Sequence, residues 1–123
     1  MRIYNREYRF RLTIGAAAEL SEICPNKDIG KIQEMLQKDY GTNVEFTAKM
    51  AAIMSKAHEM AARFESGEKP EEKNSEPLSK EMVLALEPKE YYELQKEVYE
   101  AFVQGTKTTV EVEPEKKTKG EKK

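Results

Sequence analysis

Residues 42–67, TNVEFTAKMAAIMSKAHEMAARFESG, decide the fold class. Stepped at about 100° per residue, Phe46, Met50, Ile53, Met54, Ala57, Ala61 and Phe64 fall within one narrow arc. Lys49, Lys56, Glu59 and Arg63 occupy the other side. Thr42-Asn43-Val44-Glu45 has capping-box spacing, so the threonine hydroxyl and the glutamate carboxylate can satisfy the first backbone amides. Gly67 suits the left-handed residue that often closes a helix. A helix of this length is expected to form the backbone of a small, mainly α domain.

Working back from Thr42, the spacing predicts a helix that starts near Asn26 or Asp28, buries Ile29, Ile32, Leu36 and Tyr40, and is closed by Gly41. Before it, Ala16, Leu20, Ile23 and Cys24 lie on one face of a short helix that follows Gly15 and ends at Pro25-Asn26. Residues 8 to 14 alternate: Tyr8, Phe10, Leu12 and Ile14 would point one way and Arg9, Arg11 and Thr13 the other, as in a strand. Ile3 and Tyr4 precede the polar run Asn5-Arg6-Glu7, so a short hairpin is expected, though without the Asn-Gly or Asp-Gly turn signal.

Working forward, residues 66 to 77 are Glu, Lys, Pro, Gly, Ser and Asn without one large apolar residue, and a mobile charged loop is expected there. Helical pattern resumes at Ser79 with Met82, Val83 and Leu86 as its apolar positions. Pro88 suits the first turn of a last helix, with Tyr91, Leu94, Val98 and Phe102 inward and Gly105 at its end. Residues 106 to 112 read as a possible strand. The tail from 113 to 123 holds five lysines and three glutamates and is expected to be disordered. The expectation is therefore an α+β, mainly helical fold. Four to five helices and a short N-terminal β-hairpin or strand would make one domain over residues 1–112, followed by the tail.

The chain has 123 residues, 38% of them hydrophobic and 36% charged, enough for a modest core in one domain. Its net charge of −2 gives no general reason to expect nucleic acid as a partner. The opening residues are too polar for a signal peptide, and no stretch approaches the roughly 20 apolar residues of a membrane span. A chain of the cytoplasm is the expectation. A single cysteine, Cys24, rules out an intrachain disulfide.

Chemistry is hard to find. His58, the single histidine, sits at the edge of the long helix's apolar stripe, with no carboxylate at metal-site spacing. Cys24 reads as a small apolar residue, and no local signature pairs it with His58 as a nucleophile. The six glycines are scattered and form no phosphate-cradling loop. No catalytic residue, metal or cofactor is expected, and the chain reads as a protein binder.

Two features stand out as surfaces. Arg2, Arg6, Arg9 and Arg11 interleave with Tyr4, Tyr8 and Phe10, a pattern that can serve nucleic acid but more often is the solvent face of a hairpin. Tyr92, Tyr99 and Val103 lie on one flank of the last helix, outside its core stripe, where tyrosines offer large contact area for little entropy loss. Met50, Met54 and Met60 offer an adaptable face of the long helix, if they are not core.

The run Arg9-Phe10-Arg11-Leu12-Thr13-Ile14-Gly15-Ala16-Ala17-Ala18-Glu19-Leu20 resembles the opening of small tail assembly chaperones of long-tailed bacteriophages and related gene transfer agents. There a short strand ending in Leu-Thr-hydrophobic-Gly leads into an alanine-rich helix containing Glu-Leu. Leu86-Glu87-Pro88-Lys89-Glu90 through Phe102-Val103-Gln104-Gly105, with Val110-Glu111-Val112-Glu113, is similar to phage proteins of Gram-positive hosts. The two blocks cover about half the chain. The resemblance implies a non-enzymatic role: binding the long, aggregation-prone tape measure protein while the tail tube, whose own protein is a further possible contact, assembles around it. Many members also occur as a frameshifted longer product. The long third helix and the charged loop depart from that pattern. Two other expectations stand beside it: another phage morphogenesis component for head–tail joining or the tail, and a small nucleic-acid-binding regulator using the N-terminal arginines.

Overall fold

A computed structural model describes residues 1–67 and 76–112, with side chains described as far as residue 107. The expected mobile loop, apart from its ends, and the expected disordered tail lie outside the described residues. Within them the chain forms a two-stranded hairpin, β1 (Arg2–Ile3) and β2 (Arg6–Glu7), and five α-helices: α1 (Ile14–Glu22), α2 (Ile32–Leu36), α3 (Tyr40–Ser66), α4 (Lys80–Leu84) and α5 (Pro88–Val112). The fold is mainly helical with a short N-terminal β element, as the patterning predicts.

The long helix is the spine. α1, α2, α4 and α5 all pack against α3, and Phe46, Met50, Ala51, Met54 and Ala57 fill the centre of the core. Gly67 closes α3 at φ 77°, where its amide reaches the carbonyls of Arg63 and Phe64. The start differs from the expectation by three residues, nearly one turn. Asp39, not Thr42, is the N-cap: its Oδ2 accepts from the Thr42 amide at 3.2 Å, and the Thr42 hydroxyl donates to Oδ1 at 2.9 Å. An aspartate three residues ahead of a threonine satisfies both groups at once, so the helix begins earlier. Gly41 and Tyr40 lie in this first turn, and Tyr40 is 63% exposed instead of closing a buried stripe.

The second predicted helix is broken. Asn26 and Lys27 adopt left-handed φ values of 57° and 55°. Two 3-10 turns, Pro25–Lys27 and Ile29–Lys31, precede the five residues of α2. The Asp28 carboxylate accepts from the Gly30 amide at 2.9 Å, a local bond that competes with helix propagation.

The expected strand over residues 8 to 14 is absent. The hairpin lies earlier, with Arg2 opposite Glu7 and Ile3 opposite Arg6, around a Tyr4-Asn5 turn. Tyr8 still exchanges backbone hydrogen bonds with Met1 at 2.8 and 2.6 Å, and residues 9 to 13 run on from there, tied to the long helix where the Arg11 amide donates to the Met54 carbonyl at 3.2 Å. The alternation still selects the buried side: Tyr8 is buried, and Phe10 and Leu12 pack on the core. It fails at Ile14, which is 89% exposed because α1 has already begun. The Thr13 hydroxyl caps that helix by accepting from the Ala16 amide.

At the C-terminal side, Ser79 caps α4 and accepts from the Met82 amide. The buried hydroxyl of Ser55 accepts from the Leu78 amide at 2.8 Å and ties this return segment to α3. Pro88 opens α5 as expected. Gly105 does not end it, and the stretch read as a strand, 106 to 112, continues the helix.

Candidate partner-binding surface

The last helix has two sides of different character. Tyr91, Leu94 and Val98 are buried, and Phe102 is half-buried against the core. Tyr92, one position from Tyr91, turns outward and is 53% exposed, with its ring edge-on to Tyr91 at 5.3 Å. Tyr99 is half-buried and stacks on Phe102 at 6.3 Å. Between α5 and α2 the surface opens into a groove of about 370 Å³ lined by Leu36, Tyr92, Tyr99 and Gln95, with Gln33 from α2 and Gln37 at its C-cap. Lys96 is its one charged lining residue.

A polar network fixes the floor. The Asn43 side chain donates to the Leu36 carbonyl at 2.7 Å, which holds the end of α2 against α3. Its Oδ1 accepts from the Tyr91 hydroxyl and from Gln95 Nε2 at 2.9 Å. Gln95 Nε2 also reaches the Thr47 hydroxyl at 3.1 Å. Burial is the main cause that pushes the Tyr91 phenol above its usual value, so it stays a protonated donor. Tyr92 and Tyr99 therefore stand on a rigid base.

The sequence-predicted residues divide between places. Tyr92 and Tyr99 share the groove. Val103 is half-buried about one turn beyond and does not line it. Met50 and Met54 are 1% and 0% exposed, so the core claims them and they offer nothing to a partner. Met60, 48% exposed, faces a second groove between α1 and α3. Gln33, Gln37 and Gln95 were not singled out from the sequence, and Leu36 reads there as a core position of the second helix. Gln33 and Gln37 are uncharged residues four apart, one helical turn in a chain otherwise rich in charge, and that spacing is the signal they carry.

The other candidates have local roles. Arg11 makes a two-pronged contact with Glu65 at 2.7 and 3.3 Å. Arg6 lies over the Tyr8 ring and donates to the Glu76 carbonyl, and Arg2 donates to the Asn5 carbonyl. Burial, then the nearby Arg11 guanidinium, lowers the His58 pKa below its usual value. Cys24 is buried, and desolvation pushes its thiol up, away from the nucleophilic thiolate. Among the described residues no group of three or more His, Cys, Asp or Glu side chains is placed to hold a metal ion. No helix there is long and apolar enough to cross a membrane. Compared with family models, curated proteins and solved structures, the chain finds no match.

Proposed function

We propose that this chain is a non-enzymatic binding protein of the tail assembly chaperone class, and that it covers apolar helical segments of a tape measure protein with the α2–α5 groove. One observation carries the reading. In a chain with 36% charged residues, this groove is lined by two tyrosines, a leucine and three glutamines with one lysine. Depletion of charge and enrichment of tyrosine distinguish the centres of protein interfaces from ordinary surface. An apolar side chain of the partner would lie between the Tyr92 and Tyr99 rings over Leu36, while the glutamine amides meet its polar groups. The raised Cys24 thiol supports the non-enzymatic part, since it is held as the thiol and not as the nucleophilic thiolate. The engagement of Arg2, Arg6 and Arg11 within the chain speaks against a nucleic-acid regulator. The test is co-expression with a phage tape measure protein. Wild type should raise the soluble fraction of that protein. An unchanged soluble fraction contradicts the proposal.

A further inference from the structure

The α2–α5 groove carries a charge that the chain itself leaves unanswered. On α5, Tyr92, Lys96 and Tyr99 follow one another at four- and three-residue spacing, so they share one helical face. Among the described residues no aspartate or glutamate lines the groove, in a chain that contains 23 of them. Lys96 is exposed, and among the described residues its ammonium makes no ion pair or hydrogen bond. Glu93 and Glu100 stand three and four residues from it on the same helix, yet neither comes within ion-pair distance. Glu97, its neighbour in sequence, pairs instead with the amino-terminal ammonium at 3.4 Å.

The rest of the lining sets no sign of its own. Gln95 spends its amide nitrogen on Asn43 and Thr47. The side chains of Gln33 and Gln37 and the hydroxyls of Tyr92 and Tyr99 can donate or accept, and so follow whatever a partner presents. Lys96 alone distinguishes one charge from the other. A basic segment would bring like charge against it and find no carboxylate in the lining; an acidic one would meet an unspent ammonium. Position narrows the match. Lys96 lies between Tyr92 and Tyr99 along α5, within about one turn of an apolar side chain seated between the two rings. On a helical occupant, the residues three and four away from that anchor share its face, so a carboxylate there is the one placed to reach Lys96.

We infer, resting on the helical-partner reading above, that the helix this groove takes carries an aspartate or glutamate three or four residues from its apolar anchor, and that Lys96 selects such segments over basic ones. The test is calorimetric titration of the full chain with paired helical fragments of a phage tape measure protein. The two members of a pair differ only in a glutamate or a lysine four residues from a leucine. Wild type should bind the glutamate fragment at least about fivefold more tightly. The gap should narrow as salt rises from about 50 mM to about 500 mM. Lys96→Gln should abolish the preference and Lys96→Glu should reverse it, with unchanged far-ultraviolet circular dichroism, since the position is exposed. Equal affinity for the two fragments, with binding that still depends on Tyr92, overturns this inference and leaves the groove reading standing. So does a preference that persists in Lys96→Gln and Lys96→Glu. Binding of neither fragment overturns both. Self-association in sedimentation that Tyr92→Ala abolishes would give the groove to a second copy and overturn the inference as well.

Discussion

At Gly105 two effects of opposite sign meet. The residue lies well inside the 25-residue helix α5, where alanine would be favoured over glycine by about 1 kcal/mol on helix propensity alone. A Cβ at this position would stand 2.7 Å from Leu12 Cβ and 3.0 Å from Leu12 Cδ2. The nearest atom is the root of the leucine side chain, which a rotamer change cannot move. Overpacking of this kind costs roughly 1–3 kcal/mol, so Gly105→Ala should destabilise the fold by about 1 kcal/mol or more despite its better propensity. Urea unfolding checks this, and Leu12→Ala should not rescue it because the Cβ remains. The glycine's role was hidden in the sequence, where a glycine after an apolar stripe reads as a helix end. The close approach depends on residues 93 positions apart, which no local pattern can report. Met50 and Met54 are a milder case: their periodic placement was legible, and burial in the core decides core over surface.

The hairpin shows the same limits at the scale of an element. Tyr4 and Asn5 hold φ values of 50° and 65°, the left-handed pair that a two-residue turn between twisted strands requires. Asparagine tolerates this region, but a tyrosine there costs about 1 kcal/mol. The compensation is small: the exposed Tyr4 hydroxyl donates to the Met82 carbonyl at 3.4 Å, near the limit of a hydrogen bond. Replacing the pair by Asn-Gly should therefore stabilise the protein, by up to about 1 kcal/mol, as read from thermal unfolding. Without an Asn-Gly signal the turn could not be placed from the sequence, and the hairpin was expected further along. The elements read best are those set by local chemistry, such as the Gly67 cap, the Ser79 and Pro88 starts and the inward stripe of α5. Those read worst, α2 and the end of α5, depend on Asn26 and Lys27 entering the left-handed region and on Leu12 accepting a bare helix backbone. The α2–α5 groove was half legible. Tyr92 and Tyr99 lay off the core stripe of their helix, but the facing glutamines become visible only when α2 is set beside α5.

For the whole molecule, pH dependence follows from the direction of several shifts. Hydrogen bonds from the Thr42 backbone and hydroxyl lower Asp39, those from Lys80 lower Glu45, and those from Arg11 lower Glu65. Each depressed carboxyl adds stability above its ordinary value, 3.8 for Asp39 and 4.5 for the glutamates, and loses it as pH falls through the folded value. His58, lowered mainly by burial, is likewise favourable above its ordinary 6.5 and unfavourable as it is forced to protonate below that. Lys80 has the opposite sign. Its hydrogen bond and charge attraction to Glu45 raise its pKa above 10.5, so that contribution holds below 10.5 and is lost as pH rises further. The melting temperature should thus be highest between these limits, and decline mildly below 6.5 and further below 4.5. His58→Gln should remove the first decline and leave the second. A melting temperature that rises between 6.5 and 4.5 would contradict the assigned directions.

The central claim concerns the α2–α5 groove, and a titration of the purified protein with helical fragments of the tape measure protein tests it most directly. The account predicts saturable binding by calorimetry that Tyr92→Ala weakens at least about tenfold, as for an interface anchor, while the fold, held by Tyr91 and Asn43, is unchanged. The same affinity in Tyr92→Ala and Tyr99→Ala as in wild type, or no binding by wild type at all, would contradict it.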